Sequence, residues 1–210
     1  MSSLAAPAFV TGGALVSRQG REGGGALAAL VERAREGDGR AFDRLMLETQ
    51  EKVLGVAWRL LGSREDARDA AQEVYLRVFR HLDRFRAEHD FHGWLYRITV
   101  NVCRDAARRR RRAPVVRGTD ADPGRPAEAE AEEALLGAER WRRLLEALAS
   151  LPAKERAALV LRDLEGLTSE QVARALGSRP ATVRGQIASA RVKIRRFCVD
   201  LLGGEKADPR

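Results

Sequence analysis

The sequence has few cysteines, few aromatic residues and no long apolar run. Its two cysteines among 210 residues, Cys103 and Cys198, lack the short spacings of metal ligands and are too few for a disulfide framework. Aromatic residues make up only 5% of the chain, which predicts a small core of Leu, Val and Ala. No segment approaches the roughly 18–20 apolar residues of a membrane span. We therefore expect a cytoplasmic protein with no direct membrane insertion.

Positive charge dominates the composition. Thirty-eight Lys and Arg against 30 Asp and Glu give a net charge of +8, which favours a polyanionic partner, with nucleic acid the first candidate and a membrane surface the second. The charge is unevenly distributed, since residues 26–112 carry +5, residues 113–140 carry −4 and residues 141–210 carry +6. Two basic modules therefore flank an acidic joint.

Periodicity and composition predict an all-α protein with two small helical domains joined by a flexible acidic linker. Apolar residues recur at helical spacing through both modules, whereas prolines, glycines and glutamates are concentrated in the joint. The expected segments are a disordered N-terminal extension over 1–25, a helical domain over 26–112, the linker over 113–133, a second helical domain over 134–202 and a C-terminal tail over 203–210.

The second domain has the spacing of a helix-turn-helix. Thr168 and Gln171 are three residues apart, as in a capping box, and the helix that they open should stop at Gly177. Ser178 is a candidate cap for the next helix, and Pro180 is tolerated in its first turn. A helix that follows so tight a turn can enter the major groove of DNA.

The polar residues expected on the outer face of that next helix are candidates for DNA contact: Thr182, Arg184, Gly185, Gln186 and Ser189, with Arg191 beyond them. No Asp or Glu occurs over 171–199, whereas basic residues are frequent there, which suits contact with phosphates. Arg and Gln can also read guanine and adenine through paired hydrogen bonds. A solvated basic face explains the same pattern. A glycine in the middle of a helix, such as Gly185, lowers the stability of the helix by about 1 kcal/mol relative to Ala. Either a close approach of the backbone to DNA or tolerance at an exposed position explains why glycine occurs here.

The first domain has an acidic helix face. Asp66, Asp69 and Glu73 lie at i, i+3 and i+7, and Gln72 lies beside them. A docking surface for a basic protein and a solvated helix face explain this pattern equally well. No histidine at ligand spacing, nucleophile or phosphate-binding loop accompanies the carboxylates, so the sequence predicts no enzyme, no catalytic residue, no metal site and no cofactor.

Aromatic and basic residues alternate in the segment that leads into the third helix of this domain. Phe85 and Tyr96 are candidates for stacking on unpaired bases, whereas Trp94 suits the core better. Asn101 and Arg104 extend the same helix toward five consecutive arginines that begin with Arg108. These arginines are either a solvated helix end or a sequence-independent phosphate clamp.

Together these residues resemble the extracytoplasmic-function (group IV) class of bacterial RNA polymerase sigma factors. The first domain carries the family patterns GDGRAF at 37–42, DARDAAQEVYL at 66–76 and WLYRITVN at 94–101. The second domain carries LPAKER at 151–156, QVA at 171–173 and ATVR at 181–184. The resemblance covers about 27–112 and 134–202.

The resemblance implies a factor that binds bacterial core RNA polymerase, through its beta-prime and beta subunits, and directs promoter-specific transcription initiation. Polymerase would be bound by Asp66, Asp69, Gln72 and Glu73. Phe85 and Asn101 would handle an unstacked base of the minus-ten element, next to the further DNA candidates Tyr96, Arg104 and Arg108. The minus-thirty-five element, as duplex, would face Thr182, Arg184, Gly185, Gln186, Ser189 and Arg191.

The resemblance also implies an anti-sigma factor as a partner, which often holds such factors at the membrane. Arg68 replaces a frequent acidic residue of the docking helix, which would weaken or retune docking. The family often has a basic-Ser-Arg sequence where this chain has Arg184, Gly185 and Gln186, so the promoter sequence cannot be carried over. The alternative is a stand-alone helix-turn-helix transcriptional regulator with an N-terminal helical partner-binding module, which should bind duplex DNA tightly without polymerase.

Overall fold

The computed structural model describes residues 22–86, 90–112 and 131–204 of the chain. All regular structure in these residues is helical, as the sequence predicts. The α-helices are α1 (Glu22–Arg35), α2 (Gly39–Leu61), α3 (Arg64–His81), α4 (Phe91–Arg112), α5 (Ala131–Ala149), α6 (Ala153–Leu159), α7 (Ser169–Leu176) and α8 (Pro180–Gly204). A 3₁₀ turn (Leu82–Arg84) follows α3, and a π-helical turn (Val160–Leu164) continues α6. None of the described helices is long and apolar enough to span a bilayer.

The helix bounds shift three of the expected segment limits. Helix α1 begins at Glu22, within the extension expected over 1–25, and includes Gly23, Gly24 and Gly25, although glycine is a poor helix former. Helix α5 begins at Ala131, within the linker expected over 113–133, where the helix formers Ala, Glu and Leu follow one another. Helix α8 reaches Gly204, within the expected tail. The disorder expected for the extension and the flexibility expected for the linker otherwise concern residues 1–21 and 113–130, which lie outside the described residues, as does the tail beyond 204.

A glycine and a serine separate α2 from α3, as predicted. Gly62 adopts a left-handed conformation with φ 75°, which glycine reaches without steric cost. Ser63 then caps α3, because its side chain accepts a hydrogen bond from the backbone N–H of Asp66 at 3.2 Å. The end of one helix and the start of the next are therefore set by two adjacent residues.

The predicted helix-turn-helix is present as α7 and α8. Thr168 and Gln171 form the complete capping box, and Gly177 ends α7 in a left-handed conformation with φ 60°. Helix α8 begins at Pro180, so this proline occupies the position where its missing N–H costs no helical hydrogen bond. Ser178, which we expected to cap α8, instead donates its backbone N–H to the last turns of α7 at 2.9 Å.

The chain separates into two compact units, Met1–Leu45 and Met46–Arg210. In the first unit a turn joins α1 to α2, and Asp38 lies in this turn. Its Oδ1 accepts a hydrogen bond from the backbone N–H of Ala41 at 3.1 Å, and its Oδ2 accepts one from Arg33 Nε at 3.1 Å. The bond from Ala41 and then the bond from Arg33 lower the pKa of this carboxyl.

The second unit contains two helical bundles. The first helical bundle comprises α2 from Met46 onward, α3 and α4, and the second comprises α5 to α8. In the first bundle, α3 buries its predicted apolar face, namely Ala67, Ala70, Ala71, Val74 and Val78, together with Leu82 just beyond it. Tyr75 of α3 shares a hydrogen bond with Thr49 of α2 at 3.0 Å.

The two bundles share one hydrophobic core. Val56, Tyr96 and Val100 of the first bundle belong to the same buried cluster as Leu148, Val160 and Val172 of the second. The sequence predicted two domains on either side of a linker, and the structure adds that their apolar faces pack against each other. Burial of apolar surface favours this packing at about 25 cal/mol per Å².

Candidate functional site

Helix α3 presents the four residues predicted to bind polymerase on its solvent side, because alanines and valines fill the opposite side. Asp69 and Gln72 are exposed. Asp66 and Glu73 are half-buried and engaged within the chain, since Asp66 Oδ2 accepts a hydrogen bond from Arg110 at 2.9 Å and Glu73 Oε1 accepts one from Arg77 at 2.7 Å. Asp69 is therefore the most accessible carboxylate of this face.

Helix α4 places the residues predicted to contact the minus-ten element on two different faces. Asn101 and Arg108 are exposed and Arg104 is half-buried, and their spacing of three and four residues puts them on one side of the helix. Tyr96 is only 3% exposed and lies on the side that packs against the second bundle. Phe85, which precedes α4, is 4% exposed.

Phe85 belongs to an aromatic cluster rather than to an open surface. Its ring centroid lies 5.4 Å from that of Phe91 in an edge-to-face arrangement and 5.2 Å from that of Trp94. Such pairs contribute about 0.5–1.5 kcal/mol beyond their buried area. Trp94, which we expected in the core, is only half-buried, whereas Phe85, which we expected to be open for stacking, is buried. A base reaches the ring of Phe85 only if this cluster rearranges.

Tyr96 and Arg59 of the first bundle both bind Glu165 of the second, an arrangement that we call the Glu165 contact. Tyr96 Oη donates to Glu165 Oε2 at 2.9 Å, and Arg59 Nη1 donates to Glu165 Oε1 at 2.7 Å. The side chains of Arg59 and Glu165 are 22% and 9% exposed. Burial and then the nearby Glu165 carboxylate raise the pKa of Tyr96, so its hydroxyl stays protonated and donates.

Aromatic rings surround the Glu165 contact on one side. The rings of Trp58 and Trp141 lie 4.8 Å apart at an angle of 51°. The Arg59 guanidinium lies 5.4 Å from the centroid of the Trp141 ring, a cation–π geometry. Arg59 is thus held by a carboxylate and a ring that both belong to the second bundle.

Two further hydrogen bonds join the bundles. Arg156 Nη1 donates to the backbone oxygen of Leu60 at 2.8 Å, at the end of α2. Gln171 Nε2 donates to Asp90 Oδ2 at 3.1 Å, just before α4. Burial and the neighbouring Arg111 charge lower the pKa of Arg156.

Sequence reasoning did not identify Arg59, Glu165 or Arg156 as important residues. The partners of Glu165 lie 69 and 106 residues away along the chain. Helical periodicity and capping patterns report only on neighbours within a few residues. Arg156 does belong to the LPAKER segment, but that segment does not reveal what it contacts.

The first half of α8 presents the residues predicted to face the minus-thirty-five element. Thr182, Arg184 and Gly185 are exposed, and Gln186 and Ser189 are half-buried. The opposite side of the helix is buried in the core through Val183, Ile187 and Ala190, as predicted. A Cβ atom added to Gly185 would meet no atom within 4 Å, so packing within the described residues does not require glycine there.

Acidic side chains lie beside several of these residues. Arg191 donates two hydrogen bonds to Asp163 at 2.6 and 2.9 Å, which raise the pKa of Arg191. Ser189 Oγ donates to Glu155 Oε1 at 3.3 Å. Gln186 Oε1 is buried and has no hydrogen-bond partner among the described residues. DNA phosphates that approach Arg191 would therefore compete with Asp163 for its guanidinium.

Neither the possible metal ligands nor the buried cysteine of the described residues forms a second candidate site. Within residues 22–86, 90–112 and 131–204, no group of three His, Cys, Asp or Glu is placed to hold a metal ion. Cys103 is a free thiol in the core, and burial raises its pKa to about 12. Such a thiol is a poor nucleophile at neutral pH.

Two family models match the chain. The model for sigma-70 region 2 matches residues 45–113, and the model for sigma-70 region 4 matches residues 141–194. The RNA polymerase sigma-H factor of Pseudomonas aeruginosa is 35% identical over 181 residues, which are 82% of this chain and 94% of that protein. The ECF RNA polymerase sigma-E factor of Escherichia coli is 35% identical over 173 residues, which are 79% of this chain and 90% of that protein.

Solved structures with the same fold include two complexes. CnrH in complex with the cytosolic domain of CnrY matches with a TM-score of 0.65 at 24% identity, over 83% of this chain and 98% of that chain. The sigma factor RpoE from Bartonella quintana, in complex with the anti-sigma factor NepR, matches with a TM-score of 0.62 at 19% identity, over 75% of this chain and 96% of that chain. At these identities the likeness concerns the fold.

Proposed function

This chain belongs to the extracytoplasmic-function class of RNA polymerase sigma factors, which direct transcription initiation, and from this premise we propose how its surfaces divide that work. Helix α3 docks on core polymerase, the exposed side of α4 binds the minus-ten element, and α8 reads the minus-thirty-five element. Sigma factors are initiation factors rather than enzymes, so bond formation belongs to the polymerase. The class predicted from the sequence is confirmed by the comparisons.

The observation that carries the docking assignment is the exposed acidic face of α3 on a chain of net charge +8. Phosphates repel such a face, whereas a basic helix of a protein partner is attracted to it. Asp69 and Gln72 lie at the accessible part of the face. The beta-prime subunit is the partner that the family resemblance implies for these residues, with further contacts to beta.

The exposed side of α4 suits single-stranded DNA. Asn101 offers both a donor and an acceptor to a base edge, and Arg104 and Arg108 lie on the same side for contact with phosphates. We assign strand opening at the minus-ten element to this side. Phe85 would join it after its aromatic cluster rearranges.

Helix α8 suits duplex DNA. Its exposed Arg184 can donate two hydrogen bonds to guanine in the major groove. Gln186 can pair with adenine only after its side chain turns outward, because its Oε1 is buried. The helix that precedes it, α7, is capped and short, as in other helix-turn-helix pairs. Arg191 would add a phosphate contact at the end of this surface.

An anti-sigma factor completes the proposed set of partners. The structurally similar RpoE was solved with the anti-sigma factor NepR, and this chain shares its fold. We place the protein in the cytoplasm with core polymerase, where an anti-sigma factor would hold it inactive, at the membrane if the anti-sigma factor is anchored there.

Transcription by purified core polymerase from a genomic promoter library tests the docking surface. Asp69→Arg reverses one exposed charge of α3 and should lower protein-dependent initiation at least tenfold, because like charges across an interface repel by more than about 1.4 kcal/mol. Glu146→Arg is the matched control, since it makes the same reversal on α5, where the Glu146 side chain bonds Arg142 of its own helix.

Initiation that needs the protein and survives Glu146→Arg but not Asp69→Arg would support the assignment. Equal initiation by both variants would contradict docking through α3. Absent initiation, with tight duplex binding by the free chain, would favour the stand-alone regulator.

A further inference from the structure

We propose that Asp163 and Glu155 are positioning residues that hold two cations of α8 and so determine how strongly its DNA binding depends on sequence. Each carboxylate occupies the place that a DNA phosphate would otherwise take beside the cation. The inference deepens the proposed binding of α8 to duplex DNA and rests on it, since it concerns how the same helix separates one duplex sequence from another.

The basic stretch over 171–199 contains no acidic residue, yet acids from earlier in the chain pair with two of its cations. Arg191 donates two hydrogen bonds to Asp163, which lies in the π-helical turn after α6, at 2.6 and 2.9 Å. Lys193 Nζ donates to both carboxylate oxygens of Glu155, which lies in α6, at 2.8 and 2.9 Å. The positive charge of α8 is therefore less available to DNA than its own sequence indicates.

The two paired cations continue the side of α8 that we assign to DNA. Arg191 follows Arg184 by seven residues, and Lys193 follows Ser189 by four, and residues at these spacings share one side of a helix. Ser189 Oγ also donates to Glu155 Oε1 at 3.3 Å. One carboxylate thus holds a predicted base contact and a neighbouring cation together.

The carboxylates are less exposed than the cations that they bind. The side chains of Glu155 and Asp163 are 16% and 29% exposed, whereas those of Lys193 and Arg191 are 45% and 55% exposed. A cation that turns toward a phosphate therefore leaves a partly desolvated carboxylate without its partner. The cost of that unpaired carboxylate offsets much of what the phosphate contact contributes.

This offset affects two kinds of DNA binding differently. Binding that is independent of sequence relies on phosphate contacts and on the counterions that they release, so cations already neutralised by carboxylates add little to it. Base contacts instead gain from donors that are already oriented, because ordering a long side chain during binding lowers affinity. Asp163 and Glu155 therefore suppress binding to arbitrary duplex more than binding to the sequence that α8 reads.

Binding of the full chain to a pool of random-sequence duplexes, measured by fluorescence anisotropy over a series of salt concentrations, tests the suppression. Asp163→Asn keeps the shape of the side chain and removes its charge. It should tighten binding about threefold or more and steepen the slope of log K against log salt by about 0.9, the value for one further phosphate contact. Unchanged affinity and slope would overturn the proposal. So would weaker binding with an unchanged slope, which is the result of a purely structural role.

Glu139→Gln is the matched control. Glu139 of α5 accepts two hydrogen bonds from Arg142 at 2.7 and 2.9 Å, and the variant loses the same charge, so its random-duplex binding should resemble that of the wild type. In an Arg191→Gln background, Asp163→Asn should change log K by less than half as much as in the wild type, because Asp163 acts through Arg191. An equal effect of Asp163→Asn in both backgrounds, or of Glu139→Gln, would contradict the proposal.

Sequencing of the duplexes that each chain selects from the same pool tests the effect on specificity. Asp163→Asn and Glu155→Gln should select the motif of the wild type but enrich it less strongly. Equal enrichment by all three chains, or none by any of them, would refute the role in specificity. Initiation by the wild type with core polymerase, together with unchanged variants, would refute the inference alone. Absent initiation would refute the proposed function and leave the tighter, more salt-dependent binding of Asp163→Asn standing.

Discussion

The two helices that we propose to bind DNA differ in how much of their predicted surface is available. Helix α8 exposes Thr182, Arg184 and Gly185, while its apolar side stays within its own bundle. Helix α4 exposes Asn101 but buries Tyr96 against the other bundle. The proposed duplex-binding side of α8 is thus exposed while the two bundles are packed together, an arrangement that we call the closed form. Helix α4, to which we assign strand opening, also packs against the second bundle.

The difference follows from the packing of each helix. One side of α8 fills the core and the other faces solvent, so closure of the chain does not change its DNA side. Helix α4 contacts α3 on one side and the second bundle on another, which leaves only the side of Asn101 and Arg108 for DNA. Separation of the bundles, which we call the open form, would therefore change α4 much more than α8.

The largest expected effect concerns α8. Arg184→Ala should weaken binding to the minus-thirty-five element by about 1–3 kcal/mol, because an exposed arginine that reads a base loses its paired hydrogen bonds. The weakening should be the same in the wild-type background and in Glu165→Gln, which removes the carboxylate that joins the two bundles. Fluorescence anisotropy on duplex DNA at fixed salt measures both. If Arg184→Ala weakened binding only in the Glu165→Gln background, packing of the two bundles would also cover α8. The difference between α4 and α8 would then be wrong.

The second prediction concerns alkaline pH and Tyr96. Below about pH 10 the phenol is protonated in both the open and the closed form, so the closed form keeps its full stability. Burial and the Glu165 carboxylate raise the pKa of Tyr96 in the closed form, and Asp90 adds to this whereas Arg59 opposes it. Above about pH 10 only the open form ionises, and the closed form loses stability as pH rises.

Absorbance of tyrosinate during an alkaline titration measures this directly, because the chain has only two tyrosines. Burial also raises the pKa of Tyr75, so neither phenol of the wild type should ionise near pH 10. One equivalent should ionise near pH 10 in Glu165→Gln. One equivalent near pH 10 in the wild type would show that Tyr96 is already accessible.

The third prediction asks whether Tyr96 serves closure or base stacking. Tyr96→Phe keeps the ring but removes the hydrogen bond to Glu165, which should cost the closed form about 1–3 kcal/mol. Free protein should then open more readily and bind forked minus-ten DNA more tightly. Tyr96→Ala is the comparison, since it removes both ring and hydroxyl. Equal DNA affinity of Tyr96→Phe and the wild type, with a loss in Tyr96→Ala, would favour stacking alone.

The smallest expected effect concerns Gly185. Replacement by Ala should raise the stability of α8 by about 0.5–1 kcal/mol, since the position is helical, exposed and has room for a Cβ atom. Binding to the minus-thirty-five element should nevertheless fall if the backbone lies close to DNA, as we predict. Thermal unfolding and duplex binding measure the two quantities. A more stable variant with unchanged DNA binding would show that Gly185 is merely tolerated.

Local sequence patterns predicted local structure well. Ser63, Thr168, Gln171 and Gly177 mark helix ends because caps depend on residues within one turn. The buried side of α3 follows from the spacing of its alanines and valines. The same reasoning placed Pro180 in the first turn of α8.

Capping patterns and helical periodicity could not predict the contacts between segments that are distant in the sequence. The sequence marked Tyr96 as an aromatic residue among basic ones, which is typical of both stacking sites and cores, and its DNA role stays a prediction. Its bond to Glu165 joins residues 69 positions apart. Which apolar faces meet is decided by the packing of whole helices, and no periodicity within a single helix contains that information.

The distance between the two bundles in the free protein and in the polymerase complex tests the account most directly. Fluorophores on Asp83→Cys and Val199→Cys, with Cys198→Ser, would lie on exposed positions of the two bundles, and Cys103 would stay unlabelled because it is buried with a pKa of about 12. The account predicts efficient energy transfer in the free chain, reduced transfer in Glu165→Gln, and low transfer once core polymerase binds. Equal transfer in the free chain and in the complex would contradict it.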